Sequence, residues 1–507
     1  MSSDQPVESA SRGWLSRRRF ITASAVAVAA AAPIGAAIGL TGTASATDGP
    51  EPGELVDGRL GGSVNRAFSY LNFVMDAYKK GNELRLLQSY NNESGLLTTA
   101  FVYDNALALI AYLSRPSKDN VRRAKVIGDS LLWIQANDER FTDGRVRQAY
   151  AAGPMLFYGG SPSFPGLVRE DGKAAFLWPF GFSGSAVGDV AWAGLSLVHL
   201  YARTREKKYL DGAVAMGNWI ATTSTSTHAF GGYVGGVQGD GTTVQPWSST
   251  EHNIDCYGLF KLLARFTRDS SWNAKAASAH NFVTAMYNPT DKFFYTGTQT
   301  AAPDLINKDI FPEDVNTWQF LSLGEHHFDD AIDWAATNLN TTDVGGVSAN
   351  SQLPAGYQVS GVTFSDQSKK LTGVIPNSGG RSNDRDAVWF EGTAHLAAAL
   401  LARNERHKTG GSDGDRARGY LRQIASAQGT LGGGQTVGLT SDPNGGRLFD
   451  PGEGGTWTGS PLPPNSGIVA ASSAFDTGFG FGYFQNQHIG ATSWFLMAAL
   501  GVNPYRV

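Results

Sequence analysis

Two kinds of helical segment alternate along this chain, and the alternation limits what it can fold into. The first kind is apolar on nearly every face: Asn105 to Leu113, Val190 to Tyr201, Ile254 to Leu263 and Ala387 to Leu401. A helix with no polar stripe has to be covered on all sides. The second kind carries one apolar stripe. Between Asp119 and Gln135 the apolar residues are Val121, Ala124, Ile127, Leu131 and Ile134, close to the helical repeat. Lys208 to Ile220 and Asp415 to Ala427 repeat that pattern, so these helices keep one face in water.

Six amphipathic segments are expected near 63–81, 118–136, 207–222, 271–287, 328–339 and 413–428. Six apolar ones are expected near 103–114, 188–204, 251–267, 314–325, 387–405 and 488–500. In chain order they alternate strictly. A closed ring of six hairpins satisfies both compositions, with apolar helices inside and amphipathic ones outside. An open helical array would show a fixed repeat length. Here long Gly-rich loops at 139–187, 223–250, 340–386 and 429–487 space the inner segments unevenly. The expected fold class is therefore all-α, an (α/α)6 barrel over residues 63–507 with a linker at 47–62. Strand-like runs at 293–295 and 358–364 are short and fall in loops.

Composition narrows the function classes. Hydrophobic residues make up 41% and charged residues 17%, which is a globular balance. A net charge of −4 with no long basic block argues against nucleic-acid binding. The single cysteine, Cys256, excludes an internal disulfide and a zinc–thiolate site, and reads as a small buried residue. No cofactor or metal is expected. His326-His327 after Glu325 is a weak metal candidate, and the loop Asp442 to Asp450 departs from calcium-loop spacing and reads as a turn.

The first segment reads as an export address. Ser16-Arg17-Arg18-Arg19-Phe20-Ile21 precedes an Ala-rich stretch to Leu40, and Ala44-Ser45-Ala46 follows. Paired arginines, a mild apolar region and a small-x-small site mark a twin-arginine signal over 1–46. The expected partner is the twin-arginine translocation machinery, and the expected destination is extracellular. No later run is long enough to span a membrane.

The inner helices begin with acids beside aromatics. Tyr103-Asp104, Asp189 with Trp192, Glu251-His252-Asn253 with Asp255, Asp314 with Trp318, and Asp386 with Trp389 and Glu391 all fall at such starts. Asp189 and Glu251 each precede an arginine, Arg203 and Arg265, at the same spacing, an internal echo of one hairpin in the next. Helix-start acids cap backbone N–H groups and favour the helix dipole. Capping does not account for Glu251 together with Asp255, or for Glu391 within an apolar run. If all inner helices run the same way, their starts meet at one mouth.

Carboxylates over an aromatic floor suit glycoside chemistry. Sugar faces stack on Trp and Tyr, one carboxylic acid protonates the leaving oxygen, and a second carboxylate attacks or activates water. Glu251 and Asp255, four apart, share a helix face. The candidate catalytic set is Glu251, Asp255, Glu391 and Asp104. The candidate substrate-binding set is Tyr103, Asp189, Trp192, His252, Asn253, Trp318, Asp386 and Trp389. The run from Phe475 to Phe481 is expected at the cleft rim.

Three blocks carry a resemblance: Tyr103 to Ala108, Ser249 to Asp255 and Trp389 to His395. With the hairpin pattern, they make the chain similar to the six-hairpin glycosidase superfamily. That resemblance implies an (α/α)6 toroid and a carbohydrate-active enzyme with acids at the mouth. The leading expectation is an exported glycoside hydrolase acting on a polysaccharide or oligosaccharide. A polysaccharide lyase using Tyr103, His252, Asn253 and Arg385 is the first alternative. A non-catalytic glycan-binding envelope protein is the second.

Overall fold

The computed structural model describes residues 53–507 apart from 93–95, 97, 157–162, 177–181, 377, 408–411 and 439–458. The export segment and the loop Asp442 to Asp450 lie outside the described residues.

Twelve α-helices occur among the described residues. They are α1 (Gly61–Met75), α2 (Val102–Ser114), α3 (Lys118–Ala136), α4 (Val187–Thr204), α5 (Lys207–Thr223) and α6 (Thr250–Thr267). The second half of the chain adds α7 (Ser271–Ala285), α8 (Asp314–Ser322), α9 (Asp330–Asn338), α10 (Phe390–His407), α11 (Ser412–Thr430) and α12 (Ile489–Ala499). The even-numbered helices pack in the order α2, α4, α6, α8, α10, α12 and back to α2, which closes the ring. Each takes one odd-numbered helix on its outer side, α1 covering α12 from the other end of the chain. The fold is an (α/α)6 toroid.

Composition explains the two layers. In α12 every residue is buried, and in α4 all but the acid Asp189 and the last few are. The outer α3 buries Ala124, Ile127, Leu131 and Ile134 and exposes Lys118 and Asp119. Two inner helices stop where the backbone turns left-handed. Arg205 (φ 61°) ends α4 and Arg268 (φ 59°) ends α6, and short links lead outward from there. Long loops return to the opposite end, where short antiparallel pairs steer the chain into each inner helix. Residues 99–101 pair with 149–151 ahead of α2, and 185–186 pair with 236–237 ahead of α4.

Several expected boundaries move, the first outer helix ending at Met75 rather than 81. The fourth inner helix ends at Ser322 rather than 325, because Gly324 adopts φ 66°. The fifth begins at Phe390 rather than 387, because Trp389 bridges to Ala471 and donates its N–H to the Val362 carbonyl. Glu391 therefore sits in the first turn of α10, not inside the helix. Among the described residues, no helix is long and apolar enough to cross a membrane.

Candidate active site

The starts of the inner helices share one mouth. Tyr103, Asp189, Trp192, Glu251, His252, Asp314, Trp318, Trp389, Glu391 and His395 line it. About 1010 Å³ of space lies between the lining side chains, open solvent included. The packing order places the acids. Asp189, Glu251, Asp314 and Glu391 come from the first turns of α4, α6, α8 and α10, four successive helices of the ring. Asp189 and Glu391 stand on opposite helices, because α4 faces α10. The remaining two helices, α2 and α12, bring Tyr103, Trp494 and His488 to the same end.

Aromatic rings fill the bore beneath. Trp192, Trp318 and Trp494 come from alternate inner helices. Their ring centres lie 5.3 Å (Trp192–Trp318), 5.7 Å (Trp318–Trp494) and 5.9 Å (Trp192–Trp494) apart. Tyr103 packs on Trp192 at 5.4 Å. From the opposite end of the ring the chain terminus inserts Tyr505, 5.2 Å from Trp192. The indole N–H groups of Trp192, Trp318 and Trp389 are buried with no hydrogen-bond partner among the described residues. All three rings line the cavity, so ligand oxygens there would satisfy donors that the protein leaves open.

Glu391 has several partners. It is 2% exposed, and its Oε1 accepts the Tyr103 hydroxyl at 2.6 Å. Tyr103 in turn accepts the Trp494 indole N–H at 2.9 Å. His395, one helical turn on, places Nε2 3.7 Å from Glu391 Oε1. His488 Nδ1 lies 3.5 Å from Glu391 Oε2. Burial, and then the Glu391 carboxylate, push the Tyr103 hydroxyl well above its ordinary pKa, so it donates rather than ionises. Burial opposes charge on His395, but the hydrogen bond to Glu313 and the attraction of the Glu313 and Glu391 carboxylates outweigh it and lift the imidazole to about 9. A charged imidazole therefore stands beside Glu391 at neutral pH.

The rim acids are held differently. Asp314 Oδ1 accepts the Val315 N–H at 2.7 Å, a helix-start role. Asp189 Oδ2 receives the Gln148 side-chain amide at 3.5 Å. Glu251 is half-buried. His252 packs against α4 at Gly188, where a Cβ would come within 2.5 Å of the imidazole, so this close approach requires glycine. Gly392 plays the same part for Trp389, whose ring lies 2.2 Å from where a Cβ would sit.

Eight of the sequence candidates meet at the cavity: Glu251, Glu391, Tyr103, Asp189, Trp192, His252, Trp318 and Trp389. Four do not. Asp255 is fully buried below the floor and accepts the Tyr505 hydroxyl at 2.7 Å. Asp104 is fully buried behind the wall, 3.2 Å from His488 Nε2. The Asn253 amide is spent on the backbone of Tyr233 and Ser249. Asp386 is exposed outside the cavity, one residue from the equally exposed Arg385. One face of a helix still has two depths, which is why Glu251 and Asp255 part company.

Sequence reasoning missed several residues. His395 lies four residues beyond Glu391, a spacing applied to Glu251 and Asp255 but not to this pair. Glu313 stands at a helix start, and nothing near it in the chain points to its partner His395. Gln148, Trp247 and Phe364 from loops, and Gln245 and Tyr483 from short strands, carry no local signal, whereas Phe479 and Phe481 come from the run expected at the rim. Away from the cavity, His326, Asp329 and His407, the last in the final turn of α10, bring three metal-capable ligand atoms within 4.8 Å of one another. Glu325 pairs with His280 at 2.5 Å rather than joining them.

No family model and no curated protein matches the chain. Among solved structures it is similar to a family 76 glycoside hydrolase from a bovine Bacteroides thetaiotaomicron strain, with a TM-score of 0.50 at 11% identity, covering 87% of this chain and 77% of the other. It is also similar to a D-mannose isomerase, with a TM-score of 0.51 at 12% identity, covering 88% of this chain and 97% of the other. At such identities the likeness is one of fold.

Proposed function

We propose that this chain is a carbohydrate-active enzyme that hydrolyses glycosidic bonds in a polysaccharide or oligosaccharide. One observation carries the proposal: four carboxylates from four successive inner helices share a cavity walled and floored by Trp, Tyr and Phe. Glu391 and Glu251 are the acid/base pair. Glu391 takes the base or nucleophile role, because its Oε1 already receives a donor from Tyr103. Glu251 protonates the leaving oxygen. Asp189 and Asp314, each already fixed by a donor, orient sugar hydroxyls. Trp192, Trp318 and Trp389 offer ring faces and open N–H donors. Asp104 and Asp255 act only from behind the cavity surface.

The lyase reading loses support here. Tyr103 is committed to Glu391 and resists ionisation. Of the other residues that reading needs, Arg385 is exposed and does not line the cavity, and Asn253 is tied to the backbone of Tyr233 and Ser249. A second reading, isomerisation of a free sugar, has one observation in its favour: two imidazoles, His252 and His395, line the same cavity. The related folds belong to structures named for each chemistry, so the residues have to decide.

Product analysis tests both. Incubation with a panel of neutral glycans is expected to release new reducing ends, with no absorbance from unsaturated uronates. Interconversion of a free aldose without glycan cleavage would replace hydrolysis by isomerisation, and glycan binding without either product would leave a binding protein. We also propose that residues 1–46 direct export of a single catalytic domain, 63–507, through the twin-arginine machinery. Replacing Arg17 and Arg18 by Lys is expected to leave the protein in the cytoplasm.

A further inference from the structure

Glu313 occupies an unusual place. It immediately precedes α8, where an acid normally caps free N–H groups, yet its side chain makes no capping hydrogen bond. The residue is 0% exposed, and its Oε2 meets His395 Nδ1 at 3.1 Å. Its backbone is pinned, since the N–H donates to the Phe364 carbonyl at 2.9 Å. An isolated buried carboxylate is costly, so a partner of opposite charge is what keeps it there. That partner reaches the cavity. His395 is also 0% exposed, and its Nε2 has no hydrogen-bond partner among the described residues. The rings of Trp494, Trp318 and Trp389 hold it on its faces and edge, at 4.4, 5.0 and 5.2 Å.

We propose that Glu313 is a positioning residue that fixes the His395 ring through Nδ1, so that Nε2 presents a charged N–H to the reacting oxygens beside Glu391. The 3.7 Å gap between Nε2 and Glu391 Oε1 is too long for a direct hydrogen bond. A substrate oxygen or the attacking water lying to the side of this pair, about 2.8 Å from each group, would be a shared partner. The arrangement follows a general rule, in which a carboxylate on one imidazole nitrogen sets the tautomer and charge of the other. His395 faces Glu313 from the start of α8 and Glu391 from its own helix. Beyond Glu391 lie Tyr103 and Asp104 of α2 and His488 just before α12, and Asp314 shares the cavity. None of these except Glu313 touches Nδ1. The proposal rests on the cavity being the reaction centre, but its first readout needs no turnover.

The test is Glu313→Gln in the full chain. Gln keeps an acceptor for Nδ1 and removes the charge. Nitrogen-15 histidine NMR, with His395→Asn for assignment, should show the wild-type His395 still protonated at pH 8. In E313Q the midpoint should fall by roughly one unit or more. With the best glycan substrate, kcat should fall by about tenfold or more with KM within twofold, and the basic limb of the pH profile should move to lower pH. Glu313→Asp keeps the charge on a shorter arm. It should retain the high midpoint while losing part of kcat, and it is the variant to use if E313Q does not fold. An unchanged midpoint and basic limb in a folded E313Q would overturn the proposal, as would a loss of activity that follows the melting temperature alone. If wild type cleaves no glycan, the hydrolase reading fails while the NMR comparison still decides the role of Glu313.

Discussion

The two ends of the ring are built from the same helices and do opposite things. At the start of the inner helices Asp189, Glu251, Asp314 and Glu391 gather around a hollow. At the far end Arg203, Arg265, Arg406 and His407 occupy the last turns. Both sets match the helix dipole. Only the far end is corked by the chain's own terminus, where His199 Nε2 meets the Pro504 carbonyl at 2.8 Å and Asn503 donates to the Leu321 carbonyl at 2.9 Å. Charge at a helix end is therefore no mark of a site. The mark is charge at an end that the protein leaves open.

Two buried histidines sharpen the contrast. At the corked end burial, only partly offset by the Pro504 carbonyl, holds His199 down to about 4. At the open end the carboxylates lift His395 to about 9.

The largest predicted effect falls at the open end. Glu391→Gln should cut kcat by roughly 10³-fold, within the range for a lost acid/base group, while leaving the melting temperature nearly unchanged. Loss of folding in step with activity would reduce Glu391 to a structural role.

Next comes the pH dependence of stability. His199 titrates near 4 when folded and near 6.5 when unfolded. Between these values only the unfolded chain holds the proton, so stability falls as pH drops from about 6.5 to 4, by up to about 3 kcal/mol. His395 has the opposite sign. Its stabilisation is complete below about 6.5 and is lost as pH rises through about 9. Urea titrations should show His199→Gln flattening the acid limb alone and His395→Gln flattening the basic limb alone.

A smaller effect is expected from Tyr505→Phe. It strips the hydroxyl donor from Asp255 and should cost about 1–3 kcal/mol in urea, with turnover within about twofold of wild type. A large loss of kcat at full stability would show the two ends to be coupled. The smallest effect belongs to Asp386→Asn. An exposed acid outside the cavity should leave kcat and KM unchanged within assay error. Any strong effect there would move the site boundary outward.

Much of this architecture is legible in the chain, because helix type is a local property. The apolar or striped character of each segment fixes its layer before any contact is known, and a helix overlaps each of the twelve expected segments, with some ends shifted. The site is only half legible. Acids near helix starts are visible, but their depth is not. Glu251 reaches the cavity while Asp255, one turn on, is sealed by Tyr505 from the chain terminus. Asn253 looked like a hydroxyl binder and instead closes a backbone loop. Glu313 gains its meaning from a residue on another helix, His395, far along the chain. Such pairings arise from ring closure, which no local pattern encodes.

The central claim is that glycan is cleaved between the starts of α6 and α10 at the open end. The structure of Glu391→Gln soaked with an oligosaccharide it no longer turns over tests this most directly. The account predicts an intact sugar chain with one ring against Trp192, Trp318 or Trp389 and a glycosidic oxygen between residue 391 and Glu251. A sugar bound anywhere else, with the mouth left empty at saturating ligand, would contradict it.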